Sequence, residues 1–321
     1  MNGVNVGRPL GYLCVAAALA LGSLLVTGGA TPTTSTAPNA PAAGGAPAPT
    51  QPCIQIRESL RPTGSTPAPG TMPAGSTMAR IAARGRLIAG VDQGKYRVGY
   101  RNPITGELEG SDIDLVHTIA AAIFGDPNRV QFVVLNIADR VGAIERDQVD
   151  VVVNSFTVTC ERQQKIEFST AYLTAAQRML VPTASGVTEI ENLSGARVCT
   201  SAGSTTEKVL KALPVRLDVV TLPGIPDCMV ELQRGRVAAV SSDDVILAGL
   251  AAQDPQTTVV GRALDSARYA VGMSRRTPDL VRFVNAVLER ARADGSLAAS
   301  DQRWLTDLHP VPQPAPARYQ D

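Results

Sequence analysis

The stretch R-V-G-A-I-E-R-D-Q-V-D-V-V-V-N-S-F-T-V-T-C-E-R-Q-Q-K-I-E-F-S-T-A-Y-L, Arg140 to Leu173, changes periodicity partway along. Residues 138–146 space their apolar side chains as a helix does. V-D-V-V-V-N, Val149 to Asn154, is then a valine-rich run of strand length. A helix feeding a buried strand, with polar residues following the strand, is the unit of a sheet covered by helices. The same alternation extends in both directions. Upstream, R-L-I-A-G-V from Arg86 reads as a strand, Ile113 to Phe124 as a helix with Ile113, Val116, Ala120 and Ile123 on one face, and V-Q-F-V-V-L from Val130 as a strand. Downstream, R-M-L-V-P from Arg178 leads to A-R-V-C-T-S (strand), Thr205 to Leu213 (helix), L-D-V-V-T-L (strand), a helix opening near Asp227, and V-A-A-V-S-S (strand).

Y-A-V-G-M-S, Tyr269 to Ser274, reads as a strand that returns the chain to the first unit. Thr277-Pro278 then supplies an N-cap and a proline at the first helical position for a helix to Ala293, and a last helix carries Trp304. The fold class expected is α/β, with two lobes: residues 80–180 plus 270–310, and residues 181–269. Two crossings between them, near Val181 and Ala270, make a hinge.

The ends differ from this body. Of 321 residues, the first thirty carry Arg8, an apolar run from about Leu10 to Val26 and small residues through Ala30, as an export signal does. Cleavage after Ala30 is expected ahead of a retained anchor. A lipid anchor is not expected, because Gly29 stands where a modified cysteine would and Cys14 lies too early. Residues 31–79, rich in Ala, Pro, Thr, Gly and Ser, read as a disordered linker, and residues 311–321 as a flexible tail. The expected location is therefore outside the cytoplasm, in the periplasm or cell envelope. Lys plus Arg number 30 and Asp plus Glu 29, so no strong field favours nucleic acid or an anionic membrane.

Cys53, Cys160, Cys199 and Cys228 fall in the exported part, where oxidation suits two disulfides with three possible connectivities. Cys199–Cys228 is favoured because both fall within one lobe, and Cys53–Cys160 follows by elimination; unpaired buried thiols are the alternative. No C-x-x-C accompanies the two histidines, His117 and His309, so no metal site is expected. Neither G-x-S-x-G, H-E-x-x-H nor a phosphate loop is present, and no positioned acid or base stands out, so an enzyme is not expected and no cofactor is implied.

Four segments resemble the polar amino-acid binding proteins of ABC transporters, which have the periplasmic-binding-protein-like type II fold. They are G-E-L-E-G-S-D-I-D-L-V-H-T-I-A from Gly106, the stretch from Arg140 to Leu173, L-S-G-A-R-V-C-T-S-A-G-S-T-T from Leu193 and L-Q-R-G-R-V-A-A-V-S-S-D-D from Leu232. The likeness spans about residues 80–308 and is closest to actinobacterial glutamate and glutamine binding proteins. It implies capture of a free polar L-amino acid, glutamate or glutamine before aspartate or asparagine, by a monomer that serves an ABC permease or, alternatively, a membrane sensor protein.

A buried amino acid needs a partner for each of its charges. Arg162 suits the carboxylate, since a guanidinium donates two parallel hydrogen bonds; a surface salt bridge to Glu161 or Glu167 is its ordinary alternative. The resemblance implies Thr157 as a ligand contact and Asp243 as the ammonium partner, with Asp244 as the rival helix cap; Ser155 joins the ligand set from the same segment as Thr157. Ser204 and Thr205 follow Gly203 at a helix start, where free N–H groups and hydroxyls can meet the carboxylate. The resemblance places Asp92 by the ligand's side chain, where Lys95 or Arg97 could instead meet an acidic one. Two departures stand out: Ser111 where a bulky residue is usual, and Val98 where an aromatic residue stacks on ligand, a role left to Tyr96 or Tyr100.

Overall fold

A computed structural model describes residues 55–64, 66–305 and 316–320. The export segment 1–30, the linker to residue 54, Cys53 and His309 lie outside the described residues.

Two sheets carry the structure. In the first, Leu87–Val91 lies between parallel Val130–Val134 and Val151–Val152, after which come antiparallel Gly272–Met273 and then Glu167–Phe168. In the second, Arg197–Ser201 lies between parallel Asp218–Leu222 and Ala239–Asp243, followed by antiparallel Leu173–Pro182 and then Thr257–Val260. Each sheet thus has one antiparallel strand, and each of those strands adjoins a crossing between the lobes.

Helices cover both sheets because their apolar stripes match. Ser111–Phe124 buries Ile113, Val116, Ile119, Ala120 and Ile123 against the first sheet, and each large aliphatic so buried contributes about 1.5–3 kcal/mol. The helix starts two residues earlier than the stripe alone indicates. Gly110, at φ 127°, permits the sharp entry, and Gly125 ends the helix in the left-handed conformation. Pro278–Ala293 begins at the expected proline, yet the Thr277 hydroxyl donates to the Ser274 carbonyl instead of capping the helix.

Two strands are shorter than their valine content indicates. Of V-D-V-V-V-N only Val151–Val152 keeps ladder pairing, because the chain turns at Ser155, whose φ is +44°. Y-A-V-G-M-S divides: Ser266–Tyr269 pairs with the start of Leu173–Pro182 in the second lobe, while Gly272–Met273 pairs in the first. The crossings therefore run as two adjacent antiparallel strands. Cys199 and Cys228 are disulfide-linked with Cα atoms 5.4 Å apart, fastening a strand of the second sheet to helix Ile225–Gln233. Cys160 is also disulfide-bonded, and its expected partner Cys53 lies outside the described residues.

The segment expected to be a free linker departs from that reading after residue 55, as does the tail. Ser59–Leu60 pairs in parallel with Tyr319–Gln320. Asn285, fully buried, donates from Nδ2 to Ser59 Oγ and the Leu60 carbonyl and accepts from Thr170 N. Further along, Gly70 N donates to Ile123 O, and Thr77–Arg84 is a helix capped by Ser76. Composition pointed to disorder because this segment has few apolar side chains to bury; it is held instead by backbone hydrogen bonds to polar side chains distant in sequence.

Candidate functional site

The candidate residues sit at strand ends where the two lobes meet, and the lobes touch there. Ala138 of the first lobe packs against Gly203 of the second, so closely that a Cβ on Gly203 would fall 3.1 Å from the Ala138 Cβ. At Gly249 a Cβ would lie 2.6 Å from the Tyr96 carbonyl oxygen, so only glycine admits this approach. Lys208 and Glu161 form an ion pair between the lobes.

From the first lobe, Thr157 and Arg162 arrive on the segment leaving strand Val151–Val152. Thr159 caps the single-turn helix Cys160–Gln163 by accepting from Arg162 N. The guanidinium is half-buried beside the Phe156 ring, 5.0 Å from its centroid, and Nη1 donates to the Thr157 carbonyl at 2.6 Å. Neither Glu161 nor Glu167 pairs with it. Glu161 pairs with Lys208, and Glu167 with Arg57 and Arg275. Burial lowers the Arg162 pKa to about 10, opposed by the charges of Glu161 and Asp243.

From the second lobe, Asp243 ends strand Ala239–Asp243. Its Oδ2 accepts from the Tyr269 hydroxyl at 2.5 Å, and it has no basic partner among the described residues. Burial raises its pKa to about 6, an effect that the hydrogen bond from Tyr269 opposes. Asp244 is occupied elsewhere, since its Oδ1 accepts from Ala176 N and Val245 N. Ser204 caps helix Thr205–Ala212: its hydroxyl accepts from Glu207 N, donates to Ser201 O and meets the Thr206 hydroxyl at 2.7 Å. All three of these contacts lie within the second lobe. Thr205, half-buried, has no such side-chain bond among the described residues, and its amide is at the free start of the helix.

Asp92 is held in its own turn, with Oδ1 accepting from Gly94 N at 2.8 Å and Oδ2 3.1 Å from Lys95 Nζ. Lys95 is almost fully buried and also donates to Asn154 Oδ1 (2.7 Å) and Ser155 Oγ (3.3 Å). An ammonium has three donors, so Lys95 is saturated. Burial lowers its pKa, against the pull of Asp92. Ser155 is correspondingly over-determined. Its N–H donates to Asp112 Oδ2, its hydroxyl accepts from Lys95, and Arg140 Nη1 lies 3.4 Å from its carbonyl oxygen, a set of tethers able to hold a non-glycine residue at positive φ.

Sequence reasoning missed Asp112 and Arg140, which support this floor. Asp112 also accepts from the Tyr172 hydroxyl, and burial raises its pKa. Arg140 donates to Asn154 O and lies 4.3 Å from the Phe156 centroid; burial, then the nearby Arg162, lowers its pKa to about 9. The available signal was a charge at an inward helical position in each case. Gln177, paired across the ladder with Asp243, also went unread; its buried Oε1 has no partner among the described residues. Val98 is fully buried in the core, and Ser111 is buried with a hydroxyl that has no partner among the described residues. Tyr100 donates to Glu109 and packs edge-on against Trp304 and Tyr96, which places it in the three-stranded flap of the first lobe.

The signature described as bacterial extracellular solute-binding proteins, family 3, matches residues 87–307. The chain is 27% identical over 232 residues to the ABC transporter glutamine-binding protein GlnH of Bacillus subtilis, covering 72% of this chain and 85% of that protein. It is 25% identical over 250 residues to the glutamate-binding protein GluB of Corynebacterium efficiens, covering 74% and 83%. Among solved structures, the ancestral amino acid-binding protein AncCDT-1, a precursor of cyclohexadienyl dehydratase, superposes with a TM-score of 0.65 at 25% identity, covering 72% of this chain and all of that one.

Proposed function

The chain belongs to the bacterial extracellular solute-binding proteins, family 3, and we propose that it captures a free polar amino acid, glutamate or glutamine before aspartate or asparagine, by closure of its lobes and hands it to an ABC permease. The observation that carries this reading is the pair Arg162 and Asp243. Among the described residues Arg162 of the first lobe has no acidic ion-pair partner and buried Asp243 of the second has no basic one, while the charge of Asp243 is felt at Arg162. An α-carboxylate on Arg162 and an α-ammonium on Asp243 answer both charges at once. Thr157 contributes its hydroxyl from the first lobe, and Thr205 its hydroxyl and amide from the second. Ser155, Asp92 and Ser204 act one step back, holding the walls.

Buried Lys95 and Arg140 on the floor are matched by the carboxylates of Asp92 and Asp112, and the preference for glutamate or glutamine is supported by the relatives named for those amino acids. Acidic and amide side chains are compatible with that floor. The relatives named above are binding proteins, which supports a role in binding without chemical conversion.

The test is calorimetric titration of the full chain with L-glutamate, L-glutamine, L-aspartate, L-asparagine and L-arginine, with Arg162→Ala as control. Micromolar or tighter binding of an acidic or amide amino acid, lost in the variant, is expected. Undiminished affinity in Arg162→Ala refutes the carboxylate assignment, and tight binding of arginine refutes the side-chain class.

A further inference from the structure

The helix that carries Arg162 is one turn long, Cys160–Gln163. So short a helix does not hold itself in place, and its orientation depends on tertiary contacts. Besides the Lys208–Glu161 pair and the bond from Arg275 to the Gln164 carbonyl, those contacts come from a strap, residues 56–60, on the first lobe. Arg57 N donates to Gln163 Oε1 at 2.8 Å, and Gln163 Nε2 donates back to the Arg57 carbonyl at 2.9 Å. Arg57 Nη2 reaches the Gln163 carbonyl at 2.7 Å and Glu167 Oε1 at 3.1 Å. Gln163 is buried while Arg57 is exposed, so these bonds are shielded from water at their Gln163 ends. At the other end of the same turn Cys160 is held by its disulfide.

We infer that Gln163 and the strap residue Arg57 are positioning residues for the solute site, fixing the turn from which the Arg162 guanidinium meets the ligand's carboxylate. The inference rests on the reading of Arg162 as the carboxylate partner. The strap reaches the clamp through the neighbouring residue: Gln163 faces outward to Arg57, while Arg162 faces inward to Thr157 and Phe156. A guanidinium makes two parallel hydrogen bonds only when its plane is aligned with the carboxylate, so a small rotation of the turn forfeits one of them. The strap has a second fastening that bypasses the clamp, where Asn285 holds Ser59 and Leu60. This permits a separation of strap attachment in general from attachment to the clamp.

The experiment compares Gln163→Ala and Asn285→Ala in the full chain, by calorimetry and stopped-flow dissociation of L-glutamate and L-glutamine, beside thermal unfolding without ligand. Gln163→Ala is expected to weaken binding roughly tenfold, through faster dissociation. Asn285→Ala is expected to lower the unfolding temperature and leave affinity unchanged. In an Arg162→Lys background, which loses the two-pronged contact, Gln163→Ala is expected to have no further effect on affinity. Arg57→Ala removes the contacts of Nη2 alone and serves if Gln163→Ala does not fold; a severalfold loss of affinity is expected from it. Equal effects of Gln163→Ala and Asn285→Ala on affinity, no effect of either, or a loss that adds fully to that of Arg162→Lys overturns the positioning role. If Arg162→Ala abolishes binding while Gln163→Ala and Arg57→Ala bind as tightly as the wild type, this inference alone fails. Retained binding in Arg162→Ala removes the clamp reading itself, and a wild-type chain that binds neither amino acid overturns both.

Discussion

Tyr269, on a strand of the crossing, donates its hydroxyl hydrogen to Asp243 at the end of a strand of the second sheet. The bond offsets part of the penalty that burial imposes on the carboxylate, whose pKa stands at about 6. Binding an ammonium requires the ionised form, so affinity for the amino acid should fall about tenfold per pH unit below pH ~6. Tyr269→Phe should move this acid limb to higher pH. Titrations between pH 4.5 and 8 check it, and a flat profile would rule out Asp243 as the ammonium partner.

The same group affects the unliganded protein in the opposite sense. Its folded pKa is raised above the unfolded value of about 3.9, so between the two the native state holds a proton that the unfolded chain has released. The stability Asp243 contributes is fully present below about pH 4 and is lost as pH rises through about 6. Asp243→Asn should flatten this part of the ligand-free stability profile, measured by urea denaturation against pH.

Lys95→Met should destabilise the chain by about 3 kcal/mol, because it leaves Asp92 and buried Asp112 uncompensated and withdraws one tether from strained Ser155. Urea midpoints measure this. An unchanged midpoint would mean that the ion pair contributes nothing net.

Replacing both Cys199 and Cys228 with alanine should cost about 3–4 kcal/mol, the loop-closure value for a separation of 29 residues. Amino-acid affinity at temperatures well below unfolding should be unaffected, since the bridge lies behind the cleft wall. Chemical denaturation and calorimetry separate the two effects.

Lys208→Ala removes the ion pair with Glu161 that spans the lobes. Both side chains are more than half exposed, and such pairs contribute about 0–1 kcal/mol. Affinity should change less than about fivefold and only at low salt, as titrations at two ionic strengths would show.

The valine-rich runs, their helices, and the polar residues following Val151–Val152 and Ala239–Asp243 were readable in the sequence because periodicity and composition encode local structure and burial directly. Arg162 was legible as a candidate for a chemical reason: an arginine just beyond a buried strand needs an anion. The division of labour between Asp243 and Asp244 was not, because it depends on which carboxylate Ala176 N and Val245 N claim. The bonding of Lys95 and Ser204 was not readable for a related reason. Both are polar residues at the cleft whose hydrogen-bonding capacity is used within their own lobe, and spacing carries no count of donors and acceptors. The strap was hidden because the groups that order it, Gln163 and Asn285, lie more than a hundred residues away.

Ser59–Leu60 and Tyr319–Gln320 lie side by side on the first lobe. Every covalent path out of the second lobe therefore runs back through the two crossing strands, Leu173–Pro182 and Ser266–Tyr269. Among the described residues the second lobe can therefore swing about those two strands while the paired segments Ser59–Leu60 and Tyr319–Gln320 stay in place on the first.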